Sequence, residues 1–160
     1  QLAPKAGELV IFNRSHYEDV GIVRVHKWID DDECNRRYAQ INDFERMLTE
    51  TGTTIIKCFL HISKDEQRKR LQERLDDPAK SWKFNMGDLA ERKLWTEYQA
   101  VYEQEIKATS NKHAPWYIVT ADSKTNRNLL ISRLFLNTFK HLDLRYPPVP
   151  AEYKSIRIDD

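Results

Sequence analysis

Glycine is scarce in this chain: 160 residues contain only 4, at Gly7, Gly21, Gly52 and Gly87. With only 6 prolines beside them, little of the sequence can serve as flexible linker. Cys34 and Cys58 are the only cysteines; they lie far apart, have no metal-ligand neighbours and read as reduced, buried apolar side chains. No apolar run approaches the roughly 20 residues that a membrane helix needs. The opening Gln1–Lys5 has neither a basic n-region nor an apolar h-region, so a cytoplasmic location is expected. Without a signal peptide, Asn13-Arg14-Ser15 reads as an accidental glycosylation pattern. An excess of one charge is also missing. Basic residues number 26 against 25 acidic, a net +1, which excludes global attraction to nucleic acid or to an anionic membrane and requires any anion site to be local. The five histidines show no paired ligand spacing, so a zinc site is not expected. No Gly-x-Ser-x-Gly elbow suggests a hydrolase.

What is present is the composition of one folded domain, 40% hydrophobic and 32% charged. Glu8–Phe12 is a nearly continuous apolar run, the pattern of a strand covered on both faces. Ile22–Val25 reads as a second short extended piece or as loop. Behind Asp30, Asp31 and Asp32, the spacing of Cys34, Tyr38, Ile41 and Leu48 predicts a helix stopped at Gly52. Thr53–Ile62, rich in β-branched residues, reads as a central strand. Ser63 with Glu66 is a capping-box signature for a helix ending at Asp77-Pro78. After a polar and aromatic connection over 79–87, Asp88 with Glu91 repeats the cap pattern. Leu94, Tyr98, Val101, Tyr102 and Ile106 then give one long helix an apolar face. Trp116–Ala121 reads as another buried strand, and a last helix follows Asp122 and Ser123. Its face carries Leu130, Leu134, Phe135, Phe139 and Leu142. Alternating strands and helices predict an α/β fold, a parallel sheet flanked by helices. Ligands in such sheets bind beyond the carboxyl ends of the strands.

Two segments have residues suited to chemistry. In Asn13–Asp19 a dense polar set follows an apolar run, and burying it without partners would be costly. Arg14 can clamp phosphate oxygens with its planar fork, while Glu18 and Asp19 can hold Mg²⁺ or accept a proton. A capped turn with internally paired charges fits this composition equally well. The second segment, Gln67–Gly87, contains Arg68, Lys69, Arg70, Arg74, Lys80 and Lys83. Arg70 and Arg74, four apart, share a helix face, and the Trp-Lys-Phe connection beyond them could close over phosphates as a lid. A solvated amphipathic helix is the plainer account. Aromatic residues sit mostly at core spacing, with Trp82 and Phe84 as possible lid residues.

Ile11–Val20 (Ile-Phe-Asn-Arg-Ser-His-Tyr-Glu-Asp-Val) is similar to the signature that ends the Walker B-type strand of the polyphosphate kinase 2 family. Ile41–Arg46, Phe59–Lys64, Arg74–Pro78 running on to Trp82–Phe84, Asp88-Leu89, Ala114–Tyr117 and Leu142–Pro147 resemble further family stretches in order. The resemblance covers nearly the whole chain. It implies a P-loop kinase-like parallel sheet flanked by helices, with a helical lid at about 77–93, in a partial domain over 1–146 followed by a tail over 147–160. It also implies reversible phosphoryl transfer between inorganic polyphosphate and adenine or guanine nucleoside mono- and diphosphates, with Mg²⁺ as cofactor and homo-oligomeric assembly. By position, Asn13, Arg14, Glu18 and Asp19 would form the nucleotide, phosphate and metal centre. Arg70 and Lys83 would face phosphates, with Arg74 and Lys80 beside them. Other members carry aspartate where Asn13 stands; the departure suggests a subclass and makes Asp19 or Glu18 the better carboxylate candidates, also for Mg²⁺.

The Gly-x-x-x-x-Gly-Lys loop that the family places upstream of its first strand does not occur here, and 4 glycines cannot supply one. The expectation is therefore an incomplete and inactive piece. A conventional ATP-dependent nucleotide kinase and a non-catalytic polyanion-binding module are the alternatives.

Overall fold

The computed structural model describes residues 3–158 and falls into two units, Gln1–Asp122 and Ser123–Asp160. The order of elements in the first unit is α1 (Glu18–Val25), α2 (Asp31–Glu50), β1 (Lys57–His61), α3 (Lys64–Asp76), a 3-10 turn (Ser81–Lys83), α4 (Met86–Lys93), α5 (Trp95–Thr109) and β2 (Trp116–Thr120). Strands β1 and β2 pair in parallel, with Lys57 opposite Trp116 and His61 opposite Thr120. The second unit contains α6 (Lys124–His141) and a short 3-10 turn over Ala151–Ser155. Gln1, Leu2 and the tail's last two residues lie outside the description.

Local chemistry accounts for the helix boundaries. Asp30 caps α2 by accepting the Glu33 N–H at 2.8 Å, and three acidic residues in the first turn suit the positive end of the helix dipole. At the other end Gly52, at φ +96°, takes the left-handed conformation. The Thr53 N–H reaches the Leu48 carbonyl and the Gly52 N–H the Thr49 carbonyl, a Schellman closure. Ser63 accepts the Glu66 N–H at 3.0 Å, as its capping signature predicts.

Several sequence expectations are corrected. Glu8–Phe12 is not a strand; it is an exposed, unpaired stretch, with Ile11 75% exposed. An apolar run becomes a strand only when neighbouring strands take its hydrogen bonds and cover its faces, and the described residues provide neither. Ile22–Val25 is helical, because Val20, Gly21 and Val25 fall on one buried face of α1. The single long helix beyond residue 88 is two helices broken at Leu94, and the first is capped by Asn85. The Gly87 N–H donates to Asn85 Oδ1 at 2.8 Å, and the Asn85 N–H approaches Asp88 Oδ2 at 3.4 Å. Cys34 is buried and Cys58 half-buried. The strands are less covered than a central position implies, since Leu60, Tyr117 and Ile118 are exposed. No residue of α6 is fully buried.

The core of the first unit gathers Tyr17, Val20, Cys34, Tyr38 and Ile41, with Ile29 and Trp116 packed against them. Each large aliphatic side chain buried there contributes roughly 1.5–3 kcal/mol. Helix α1 packs chiefly on α5. Gly21 permits the close approach: a Cβ there would lie 3.3 Å from Glu105 Oε2.

Beside this core lies a buried charged network that the composition gave no hint of. Lys57 Nζ donates to Glu45 Oε2 at 2.6 Å, to Tyr17 Oη at 2.8 Å and to the Thr109 carbonyl at 2.8 Å. Tyr17 Oη donates to Glu45 Oε1 at 2.7 Å, and Trp116 Nε1 to Thr109 Oγ1 at 2.9 Å. Burial pushes the Glu45 carboxyl up, but His16, Lys57 and Tyr17 outweigh it and hold the group below the usual range. Burial pulls the Lys57 ammonium down, opposed by Glu45. The network thus joins the start of α1, the middle of α2, β1 and the end of α5.

Glu105 differs, because its Oε2 is buried without a hydrogen-bond partner and burial pushes its carboxyl up to about 8 from 4.5. Between those two values the folded chain keeps a proton that the unfolded chain releases, so rising pH favours unfolding across that window. The stability lost is on the order of 4–5 kcal/mol at most. Glu105→Gln, which cannot ionise, should flatten the melting-temperature profile between about pH 5 and 8. Thermal melts of the two proteins across that range test this; parallel profiles would show that Glu105 is not the group responsible.

Candidate functional site

The polar stretch Asn13–Asp19 divides into an inward and an outward part. His16 and Tyr17 turn inward: their rings lie 4.8 Å apart and Tyr17 joins the buried network. The expectation that the whole set faces solvent or ligand is corrected for Tyr17, which is buried, while the His16 side chain remains 38% exposed. Asn13, Arg14, Glu18 and Asp19 remain on the surface. Arg14 sits at φ +71°, a conformation that side-chain-bearing residues seldom adopt. Its Nε lies 3.4 Å from Glu18 Oε1. Glu18 and Asp19 occupy the first turn of α1, and Arg37 Nη1 from α2 donates to the Asp19 carbonyl at 2.6 Å. With Tyr17 fixed below and Arg37 at the side, the turn that presents these groups is held from two directions.

The basic set lies on α3 and the connection after it. Arg70 is half-buried; its Nε donates to Glu66 Oε1 at 2.7 Å and its Nη2 to the Ala121 and Asp122 carbonyls at 2.6 and 3.1 Å. The Ser63 N–H donates to Asp122 Oδ1 at 2.7 Å, so Arg70 belongs to a seam joining the carboxyl ends of β1 and β2. Hydrogen bonds from the Ser63 backbone and side chain hold the Asp122 carboxyl below its ordinary value. Arg74 reaches Asp88 at 3.6 Å, Lys80 pairs with Asp77 at 2.6 Å, and Lys83 Nζ lies 5.0 Å from the Trp82 ring centroid. Exposed pairs of this kind are weak and exchangeable, so these cations are available to a stronger anionic partner. No hydrogen bond or ion pair among the described residues links the Arg14 group to the basic set.

Cation chemistry sets a further condition. No cluster of three His, Cys, Asp or Glu side chains suited to a metal occurs among the described residues. Glu18 and Asp19 nevertheless offer two hard oxygen donors. That suits Mg²⁺, which keeps several waters and takes one or two carboxylates alongside substrate phosphates. Two open grooves, lined by residues such as Arg24, Asp31, Tyr38 and Gln104, or Trp28, Ile29 and Ala100, include none of the candidate residues. The sequence also gave no warning that the fold brings Glu91 to His26 at the end of α1 and Arg92 to Lys64 and Gln67 on α3. Glu91 read only as a capping residue; its pairing with His26 spans 65 positions and leaves no local pattern.

The model of the family described as Polyphosphate kinase 2 (PPK2) matches residues 1–147. An AMP/ADP-polyphosphate phosphotransferase of Meiothermus ruber is 52% identical over 159 residues, which cover 99% of this chain and 60% of that protein. An ADP-polyphosphate phosphotransferase of Rhodopseudomonas palustris is 42% identical over 166 residues, covering 96% of this chain and 57% of that one. The crystal structure of Polyphosphate Kinase 2 from Arthrobacter aurescens matches with a TM-score of 0.92 at 48% identity, over 96% of this chain and 55% of that one. This chain therefore spans somewhat more than half the length of these relatives. Its fold is α/β and P-loop kinase-like, with a small parallel sheet and flanking helices. By sequence and by fold alike, the chain belongs to the polyphosphate kinase 2 family.

Proposed function

We propose that the protein transfers phosphoryl groups reversibly between inorganic polyphosphate and nucleoside mono- or diphosphates. The observation that carries this is 52% identity across almost the entire chain to a relative named for that transfer. In phosphoryl transfer the protein's main task is alignment and neutralisation of charge, so a set of arginines, lysines and carboxylates suits it. Arg14, steered by its neighbour Glu18, stabilises charge on the transferring group; Asn13 orients a phosphate or nucleotide oxygen. Glu18 and Asp19 hold Mg²⁺, which supplies further charge neutralisation when bound. Arg74, Lys80 and Lys83 exchange their carboxylate and aromatic partners for phosphate oxygens, while Arg70 braces the strand ends and offers part of its guanidinium. The location proposed is cytoplasmic and the assembly homo-oligomeric.

The test is ATP formation by the full-length protein with Mg²⁺, ADP and polyphosphate, each omitted in turn, followed by AMP as acceptor. ATP that appears only with polyphosphate supports the assignment. Transfer from ATP alone would favour a conventional nucleotide kinase, and salt-sensitive polyphosphate binding without turnover would favour a binding module. We further propose that these 160 residues alone do not catalyse transfer, since they contain no Gly-x-x-x-x-Gly-Lys loop. Robust turnover by the isolated 160-residue chain would refute that.

A further inference from the structure

Helix α4 has no fully buried residue, yet polar contacts fasten it to three other elements. Glu91 Oε2 accepts from Tyr98 Oη on α5 at 2.6 Å and from His26 Nε2 at the carboxyl end of α1 at 3.1 Å. The Tyr98 hydrogen bond, with help from His26, holds the Glu91 carboxyl below its ordinary range. The next residue, Arg92, points to α3, where its Nη1 donates to the Lys64 carbonyl at 2.8 Å and to Gln67 Oε1 at 2.7 Å. One turn earlier, Asp88 faces Arg74 on α3 at 3.6 Å, a half-exposed pair that phosphate would displace and that the fastening does not need. The preceding segment, 77–85, contrasts with this. Among the described residues, its hydrogen bonds and ion pairs end within four positions along the chain. Examples are Lys80 to Asp77 and Trp82 Nε1 to the Ala79 carbonyl.

We propose that Glu91 is a positioning residue which, with Arg92, fixes α4 as the stationary base of the basic segment. Only residues 77–85, with Lys80 and Lys83, then move when phosphate binds. The mobile lid is accordingly shorter than the 77–93 expected from the sequence. The hydrogen bonds favour this division: motion of α4 would break polar contacts to α1, α3 and α5 at once, whereas motion of 77–85 breaks only hydrogen bonds and ion pairs local to the segment, besides the packing of its 3-10 turn on α3. Because α1 also carries Glu18 and Asp19, the clasp sets the lid's base relative to the candidate transfer centre. The link to phosphate rests on the proposed function; the fastening of α4 does not.

Hydrogen exchange on the full-length protein, with and without polyphosphate, tests the division. In the wild type, amides of 86–93 should exchange more slowly than those of 79–85, and polyphosphate should slow only the latter. Glu91→Ala should speed exchange in 86–93 roughly three- to tenfold, the scale of a half-exposed charged hydrogen bond, while α2 and β1 stay unchanged. Glu91→Gln, which keeps an acceptor oxygen, should fall between the two. With turnover present, Glu91→Ala should raise KM for polyphosphate more than it lowers kcat. Unchanged exchange in 86–93, equal acceleration throughout the protein, or equal protection of both segments by polyphosphate would each overturn the proposal. If the full-length protein shows no transfer, the ligand-free comparison still decides the clasp.

Discussion

Replacing Arg14 by alanine in the full-length protein is expected to lower phosphoryl transfer roughly a hundredfold or more while leaving stability almost unchanged. The two halves of that expectation have separate origins. The loss of rate follows from the role proposed for Arg14, a guanidinium that stabilises charge developing during transfer. The unchanged stability follows from its surroundings: the side chain is 81% exposed and makes one surface ion pair, with Glu18. Its backbone sharpens the test further. At φ +71° the position favours glycine, so Arg14→Gly should relieve strain of about 1 kcal/mol and melt slightly higher than wild type, yet be as inactive as the alanine variant. Near-normal kcat/KM in Arg14→Ala would remove Arg14 from the site and leave the family assignment intact.

The second large effect concerns folding. Lys57→Met keeps the length of the side chain but leaves the Glu45 carboxylate buried without its cation and takes donors from Tyr17 Oη and the Thr109 carbonyl. Breaking a buried pair from one side costs roughly 3–5 kcal/mol, enough to unfold a marginal domain. The double variant Lys57→Met with Glu45→Leu should recover much of that loss, because no buried charge is left alone. Denaturant midpoints for the single and double variants decide the matter. A single variant within about 1 kcal/mol of wild type would mean that water reaches Glu45.

These two residues also illustrate how much the sequence discloses. Helices α2 and α3, both strands and the α/β class were legible, because caps, β-branched runs and apolar spacing are local signals. Arg14 and Glu18 could be singled out because they follow an apolar run in a polar cluster that also resembles a known family stretch. Glu8–Phe12 misled for a physical reason: an apolar run records a need for cover without saying whether the cover is present. Lys57 was invisible because a lone lysine in a strand ordinarily faces water; its partners Glu45, Tyr17 and Thr109 lie on three other segments. Whether Arg70 acts on ligand or braces the strand ends was equally unreadable, since its carbonyl partners at Ala121 and Asp122 lie about fifty positions away, beyond any helical or strand period.

The parallel pairing of β1 with β2 has a consequence for how the chain reaches its structure. Lys57 and Trp116 are register partners about sixty positions apart, and three helices must be accommodated before they meet. Until that loop closes, the end of α5 cannot deliver the Thr109 carbonyl, and the ammonium of Lys57 stays in water with Glu45. Dehydration of the charged pair and closure of the sheet are therefore one late event, set by chain entropy more than by helix formation. Mutations in the pair should accordingly appear mainly as faster unfolding, with refolding rates little altered.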